Sequence, residues 1–254
     1  MTKLICANVF VPLRINPSHK SEQGSQILFG EKYIIIDRSV NWVKIRNDFD
    51  GYEGWMDGDH HLYFEEEDND KVDILATSTV FMTDNEMPVY LEAGSVIYNF
   101  NKTENSFSIG NSRFNCKSEV ILSPMNESVS QTAQRFLNCP YLWGGRTSGG
   151  MDCSGLTQLV YKLHGYNLPR DSYMQADVGV TVSFLEEANE GDLLFFDDDK
   201  GNITHVGLFM GSRSMIHCSG KVRIDRIDHQ GIYSDEYNRY THRLRTIKRI
   251  ISND

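Results

Sequence analysis

The sequence contains no apolar run that approaches the ~18 to 20 residues needed to cross a bilayer as a helix, which excludes a helical membrane-spanning protein. It has no excess of basic residues either. With 25 Lys and Arg against 35 Asp and Glu, the formal charge is -10, and no basic patch stands out for phosphate, so a nucleic-acid partner is excluded. A small cationic or peptide partner is compatible with that charge. Cysteines are few: Cys6, Cys116, Cys139, Cys153 and Cys218 form an odd set without paired spacing, which fits reduced thiols rather than a disulfide framework. Cys153, His205, His217 and Cys218 are all zinc-type side chains, but there is no C-x-x-C pair and no histidine pair at helical spacing, so no metal and no other cofactor is expected. The first residues, MTKLICANVFVPLR, lack a long apolar core and a small-residue cleavage site, and they predict a cytoplasmic protein.

What is present is the composition of a globular chain of two or three domains: 254 residues, 40% hydrophobic and 24% charged. Residues 1–64 carry short strand-like segments, Tyr33 to Ile36, Trp42 to Ile45 and Tyr52 to Met56, with a tight turn at Asp50-Gly51, and they predict a small barrel. The acidic run EEEDND at 65–70 reads as a solvated linker. Strand-like segments return between 71 and 123, at Thr79 to Met82, Val89 to Leu91, Val96 to Phe100 and Phe107 to Ile109, and predict a second barrel. Residues 124–254 begin with helices and continue as strands, the order of an α+β domain. Ser128 and Gln131 have capping-box spacing ahead of an apolar face of Val129, Ala133, Phe136 and Leu137. Asp171 or Ser172 is expected to cap a short helix running to Gly179.

The chemistry centres on Cys153. Leu156, Leu159, Val160 and Leu163 recur at helical spacing and predict a helix with one buried face, ended by Gly165. Asp152 is a favourable N-cap, so Cys153 falls in the first turn, where unpaired N–H groups and the helix dipole favour a thiolate. A thiolate needs a base, and His205 and His217 both lie in strand-like settings downstream. Neighbours on a strand point to opposite faces, so His217 and Cys218 cannot both face one site.

The runs Tyr141-Leu-Trp143-Gly-Gly, Asp152-Cys153-Ser154-Gly155, Pro169-Arg170-Asp171-Ser172, Gly191-Asp192-Leu193 and His205-Val206-Gly207 occur in that order over roughly the last 130 residues. In this the sequence resembles the NlpC/P60 family of papain-like cell-wall peptidases. In the first barrel, Gly30-Glu31, Trp42-Val-Lys-Ile and Gly51-Tyr-Glu-Gly-Trp55 resemble a bacterial SH3-like domain, a module often found beside that family.

The resemblance implies a papain-like catalytic domain with Cys153 as nucleophile, His205 as base, His217 orienting the base, and the Tyr141 hydroxyl beside the oxyanion. It implies that Asp152, Ser154, Asp171 and Ser172 contact substrate, with Trp143 as a pocket wall. The implied substrate is a peptidoglycan stem peptide with a free N-terminal L-alanine, cut by a monomer between γ-D-glutamate and a diamino acid in murein peptide recycling. Asp171 would face the alanine amine, joined by Glu31 or alternatively Glu53, with Tyr63 narrowing the pocket. Other readings are a wall-peptide-binding protein without activity, or an acyltransferase or amidase on the same fold. The remaining six histidines, His60 and His61 among them, read as surface or structural.

Overall fold

The structure is a computed structural model that describes residues 3–60, 62–65 and 71–251. His61 and residues 66–70 of the expected linker therefore lie outside the described residues. The chain divides into two compact units: Met1–Met125 with Trp143–Ser148 and Leu163–Gly165, and Asn126–Leu142 with Gly149–Lys162 and Tyr166–Asp254. Among the described residues no helix is long and apolar enough to cross a membrane.

In the first unit, seven short antiparallel strands between Leu4 and Glu65 form one sheet. Alternation sets their inward faces: Val43 and Ile45 on the strand Trp42–Asn47 are buried with Val11, Leu13, Ile27 and Met56, while Arg46 is exposed. The expected turn at Asp50-Gly51 is present. Gly51 has a positive φ of 71°, its N–H donates to the Asn47 carbonyl at 2.9 Å, and the Asp50 carboxylate accepts from the Tyr52 N–H at 3.0 Å. Residues 72–115 add a four-stranded sheet and a two-stranded one. The strand expected to reach Phe100 stops at Tyr98, because Asn99 adopts a positive φ of 52°. These sheets share a cluster with the first one: Ile5 and Phe29 pack with Phe81, Phe107 and Phe114, the last two stacked at 4.5 Å.

In the second unit the capping box at Ser128 closes as expected. The Gln131 N–H donates to the Ser128 hydroxyl, the Ser128 N–H donates to the Gln131 side chain, and α1 runs Val129–Gln134. Val129, Ala133 and Phe136 are buried. Leu137 is not: the helix has ended before it, and it is 37% exposed. Helix α2, Cys153–Lys162, is buried at all ten residues rather than on one face. Two of its polar side chains find partners inside: Thr157 donates to Gln175 at 2.7 Å and Gln158 to the Leu168 carbonyl at 3.1 Å. Helix α3 covers only Ser172–Gln175, four residues short of the expected Gly179.

Seven antiparallel strands complete this unit: β1 Val180–Val182, β2 Leu193–Asp197, β3 Ile203–Gly211, β4 Ser214–Ser219, β5 Lys221–Ile227, β6 Gly231–Ser234 and β7 Arg239–Arg249. Their order is β1-β7-β2-β3-β4-β5-β6, and β6 also pairs with β7, so six of them close into a ring. Leu194, Phe196, Phe209, Met215, Ile227, Ile232 and Ile247 fill one face of this sheet, while α2 packs on β3 and β4.

Candidate active site

Two of the motifs meet in one ion pair. Arg170 donates to both carboxylate oxygens of Asp152, at 3.0 and 2.6 Å, and to the Ser154 hydroxyl at 2.9 Å. Asp152 also accepts from the Gly155 N–H at 2.7 Å, which is the expected N-cap contact. Asp152 and Ser154, both implied to contact substrate, are therefore engaged in holding the start of α2 and are only 5% and 6% exposed. Asp171 occupies the N-cap position of α3 without a side-chain capping bond, and Ser172 is its first helical residue.

This network sets Cys153 at the first position of α2. Burial pushes its thiol up to about 12, and the Asp152 carboxylate adds to the rise. The backbone N–H of Val206, the Arg170 guanidinium and the Ser154 N–H act in the opposite direction. The thiolate expected from the helix start is thus outweighed by desolvation. The Val206 contact places the thiol at β3, beside His205.

His205 and His217 share a face of the sheet. Gly207 lies directly opposite His217 in the β3–β4 register, which makes the two histidines diagonal neighbours. A Cβ at Gly207 would stand 2.8 Å from the His217 Cβ, so the glycine of His205-Val206-Gly207 is what lets His217 approach. His205 Nε2 and His217 Nδ1 are 2.7 Å apart. The His205 ring nitrogen turned to His217 is Nε2, so Nδ1 is the nitrogen not used in this contact. Burial lowers the His205 pKa well below 6.5, with His217 and then His242 adding to it. Cys218, on the opposite strand face, donates to the Met151 carbonyl at 3.1 Å and is fully buried.

Three polar groups of this face were not singled out from the sequence. His217 Nε2 lies 3.0 Å from Asp225 on β5, and Arg223 lies 2.9 Å from the same carboxylate. His242 on β7, read as surface or structural, stacks on His205 with ring centroids 4.3 Å apart. Burial holds its pKa at about 4. Beside it, Asp197, Asp198, Thr204, Tyr240 and Arg243 line an open pocket of about 860 Å³.

Tyr141 is 37% exposed. Its hydroxyl is raised above the ordinary tyrosine value by burial, with smaller contributions from Cys153 and Asp152, which puts it in the electrostatic neighbourhood of the thiol. Trp143, Glu31, Glu53 and Tyr63 belong to the first unit. The Trp143 ring is 56% exposed and its indole N–H donates to Glu22 at 2.6 Å. There Gly144 has a positive φ of 73°, and a Cβ on it would stand 2.5 Å from the Gln23 carbonyl oxygen. Glu31 is 2% exposed, and its carboxylate accepts from Arg146 at 2.8 and 3.0 Å and from the Leu28 N–H at 3.0 Å. Glu53 is bound by Lys44 and Arg46. Tyr63 is 46% exposed. Of the cysteines read as small core residues, Cys6 and Cys116 are buried and Cys139 is only partly so.

Comparison with known proteins identifies the family. Residues 138–243 match the NlpC/P60 family, and residues 13–60 match the bacterial dipeptidyl-peptidase SH3 domain. A gamma-D-glutamyl-L-lysine dipeptidyl-peptidase of Bacillus subtilis is 32% identical over 212 residues, covering 76% of this chain and 71% of that protein. The chain belongs to the NlpC/P60 family. A Bacillus cereus protein of the same name is 31% identical over 226 residues, spanning 76% of this chain and 66% of the relative. A crystal structure of an NlpC/P60 family protein from Bacillus cereus superposes with a TM-score of 0.85 at 21% identity, covering 99% of this chain and all of that one. The NlpC/P60 fold is therefore α+β, with an SH3-like β-rich region before the catalytic part, and this member is a cysteine peptidase.

Proposed function

We propose that this NlpC/P60 peptidase hydrolyses the bond between the γ-carboxyl of D-glutamate and a diamino acid in peptidoglycan stem peptides with a free N-terminal L-alanine, as a step in murein peptide recycling. The observation that carries the reading is the 2.7 Å contact between His205 Nε2 and His217 Nδ1, which commits one nitrogen of the base and frees the other for Cys153. The names of the relatives support the substrate class.

The reaction begins with the neutral pair that burial favours. His205 Nδ1 takes the Cys153 proton as sulfur attacks the γ-glutamyl carbonyl, and His217 orients the imidazole. The Cys153 N–H and the Tyr141 hydroxyl donate to the developing oxyanion. His205 then gives its proton to the departing amine, leaving a thioester. Water, deprotonated by the same imidazole, releases the L-alanyl-D-glutamate dipeptide. Asp171 receives the alanine ammonium, with Ser172 beside it.

The test is incubation with L-Ala-γ-D-Glu-L-Lys and its diaminopimelate counterpart, followed by mass spectrometry. The expected products are the dipeptide and the free diamino acid. Intact peptides after exhaustive incubation would remove this substrate class.

A further inference from the structure

Asp225 carries a negative charge on a largely covered side chain, 8% exposed, at the far end of the histidine pair. We propose that Asp225 is a positioning residue that fixes the tautomers of both His217 and His205, extending Cys153, His205 and His217 into a four-residue relay. This rests on the cysteine-peptidase reading of the site given above.

The argument follows from what each atom can donate. Burial raises Asp225, but hydrogen bonds from His217 and Arg223 together hold it below the usual carboxylate range, so at neutral pH it only accepts. The 3.0 Å contact is then a donation from the His217 Nε2–H. A neutral imidazole protonated at Nε2 has its lone pair at Nδ1, so the 2.7 Å contact is a donation from the His205 Nε2–H. His205 is thereby left with its lone pair at Nδ1, the atom that receives the Cys153 proton. In that step the Sγ–H bond breaks and an Nδ1–H bond forms, and the carboxylate keeps no proton.

The surroundings hold this direction. Arg223 donates to Asp225 Oδ2 at 2.9 Å and Oδ1 at 3.0 Å, and its other terminal nitrogen pairs with Glu236 at 2.8 Å. From β7, His242 stacks on His205 and stands edge-on to His217 at 6.1 Å, and it is neutral at neutral pH. From β2, Phe196 closes the other approach to the His205 ring at 5.8 Å. From α2 comes Cys153, with Asp152 and Tyr141 in its electrostatic neighbourhood.

Two variants of the full chain test the proposal. Asp225→Leu removes the acceptor. Asp225→Asn can keep its carbonyl oxygen toward His217 and Arg223, retaining the acceptor without the charge. Side-chain ¹⁵N shifts of labelled histidine report each tautomer without any peptide. Wild type and Asp225→Asn are expected to show His217 protonated at Nε2 only, and Asp225→Leu a mixture. Loss of a charged hydrogen bond predicts at least about a tenfold fall in kcat for Asp225→Leu with little change in KM. Asp225→Asn is expected to be intermediate, with its acid limb moved to lower pH because the imidazolium loses its counter-charge. Wild-type His217 protonated at Nδ1 would overturn the proposal. So would an Asp225→Asn variant with wild-type kcat and an unchanged acid limb, a result that decides even if Asp225→Leu fails to fold. Correct tautomers in an enzyme that cuts no stem peptide would count against the substrate reading alone.

Discussion

Arg170 and Asp152, eighteen residues apart, form a two-point ion pair that is 2% and 7% exposed at the side chains. It ties the Pro169-Arg170-Asp171-Ser172 segment to the cap of the nucleophile helix. Removing one partner leaves a buried charge uncompensated, a loss of about 3–5 kcal/mol. Arg170→Met is therefore expected to lower the unfolding free energy by that amount, and with it the denaturant midpoint, and to slow hydrolysis, because the cap holds Cys153. An unchanged midpoint in urea titrations would show that the pair contributes little.

The two buried thiols are expected to behave differently. Cys153→Ala should abolish hydrolysis while leaving the fold intact, since α2 packs through Leu156, Leu159 and Val160. Cys218→Ala should retain activity within a few-fold, because its thiol only donates to the Met151 carbonyl. Its cost is a small cavity and a lost weak bond, about 1–2 kcal/mol by the usual scale of core truncation. Initial rates and thermal unfolding of both variants decide this, and a Cys218→Ala enzyme as inactive as Cys153→Ala would shift the nucleophile assignment.

The pH profile should be a broad plateau. The acid limb follows protonation of His205, which burial places well below 6.5, and the alkaline limb follows Cys153, raised from 9.0 to about 12. A preformed thiolate–imidazolium pair would instead make iodoacetamide react rapidly at acidic pH. Neutral partners predict slow alkylation at pH 7 that accelerates as pH rises. Rapid labelling at pH 5 would mean that the helix start, not burial, governs the thiol.

Acid should also weaken the fold through the same cluster. His242 has a folded pKa of about 4, below the 6.5 of an unfolded histidine. The unfolded chain therefore binds the proton first: the stability is fully present above 6.5 and is lost as pH falls toward 4. His205 contributes with the same sign. His242→Gln should flatten the decline in denaturant midpoint between pH 6.5 and 4, and an equally steep decline would exclude His242 as a cause.

Much of this site was legible because its signals are local. The Ser128 capping box, the Cys153 helix with its Asp152 cap, and the glycine of His205-Val206-Gly207 each declare themselves within a few residues. The full burial of α2 was not legible, since Thr157, Gln158 and Lys162 read as a solvent face until their partners from other segments are known. Asp225 and His242 were missed for a similar reason. One signal could have found Asp225: the short turn at Ser219-Gly220-Lys221 sets Arg223 opposite His217, and Asp225 then shares their strand face. His242 offered none, because β7 pairs directly with β2, a strand far upstream in the chain that no nearby turn announces. Glu31 matched a motif by type, yet only the fold reveals Arg146 against its carboxylate.

Recognition of the alanine amine separates Asp171 from Glu31. Asp171 stands at the N-cap position of α3 in the second unit, whereas both Glu31 oxygens accept from Arg146 inside the first unit. A charged hydrogen bond contributes about 1.5–3 kcal/mol, so acetylating the substrate's N-terminal alanine should slow turnover by roughly tenfold or more. Asp171→Asn should slow cleavage of the free peptide and shrink the difference between free and acetylated forms. Glu31→Gln should instead destabilise the first unit by leaving Arg146 without its counter-charge, and preserve that difference in the folded fraction. The measurement is kcat/KM for both peptides with each variant, beside denaturant titration. Equal cleavage of free and acetylated peptide by the wild type would end the amine assignment, and a selective loss of discrimination in Glu31→Gln would transfer it to Glu31.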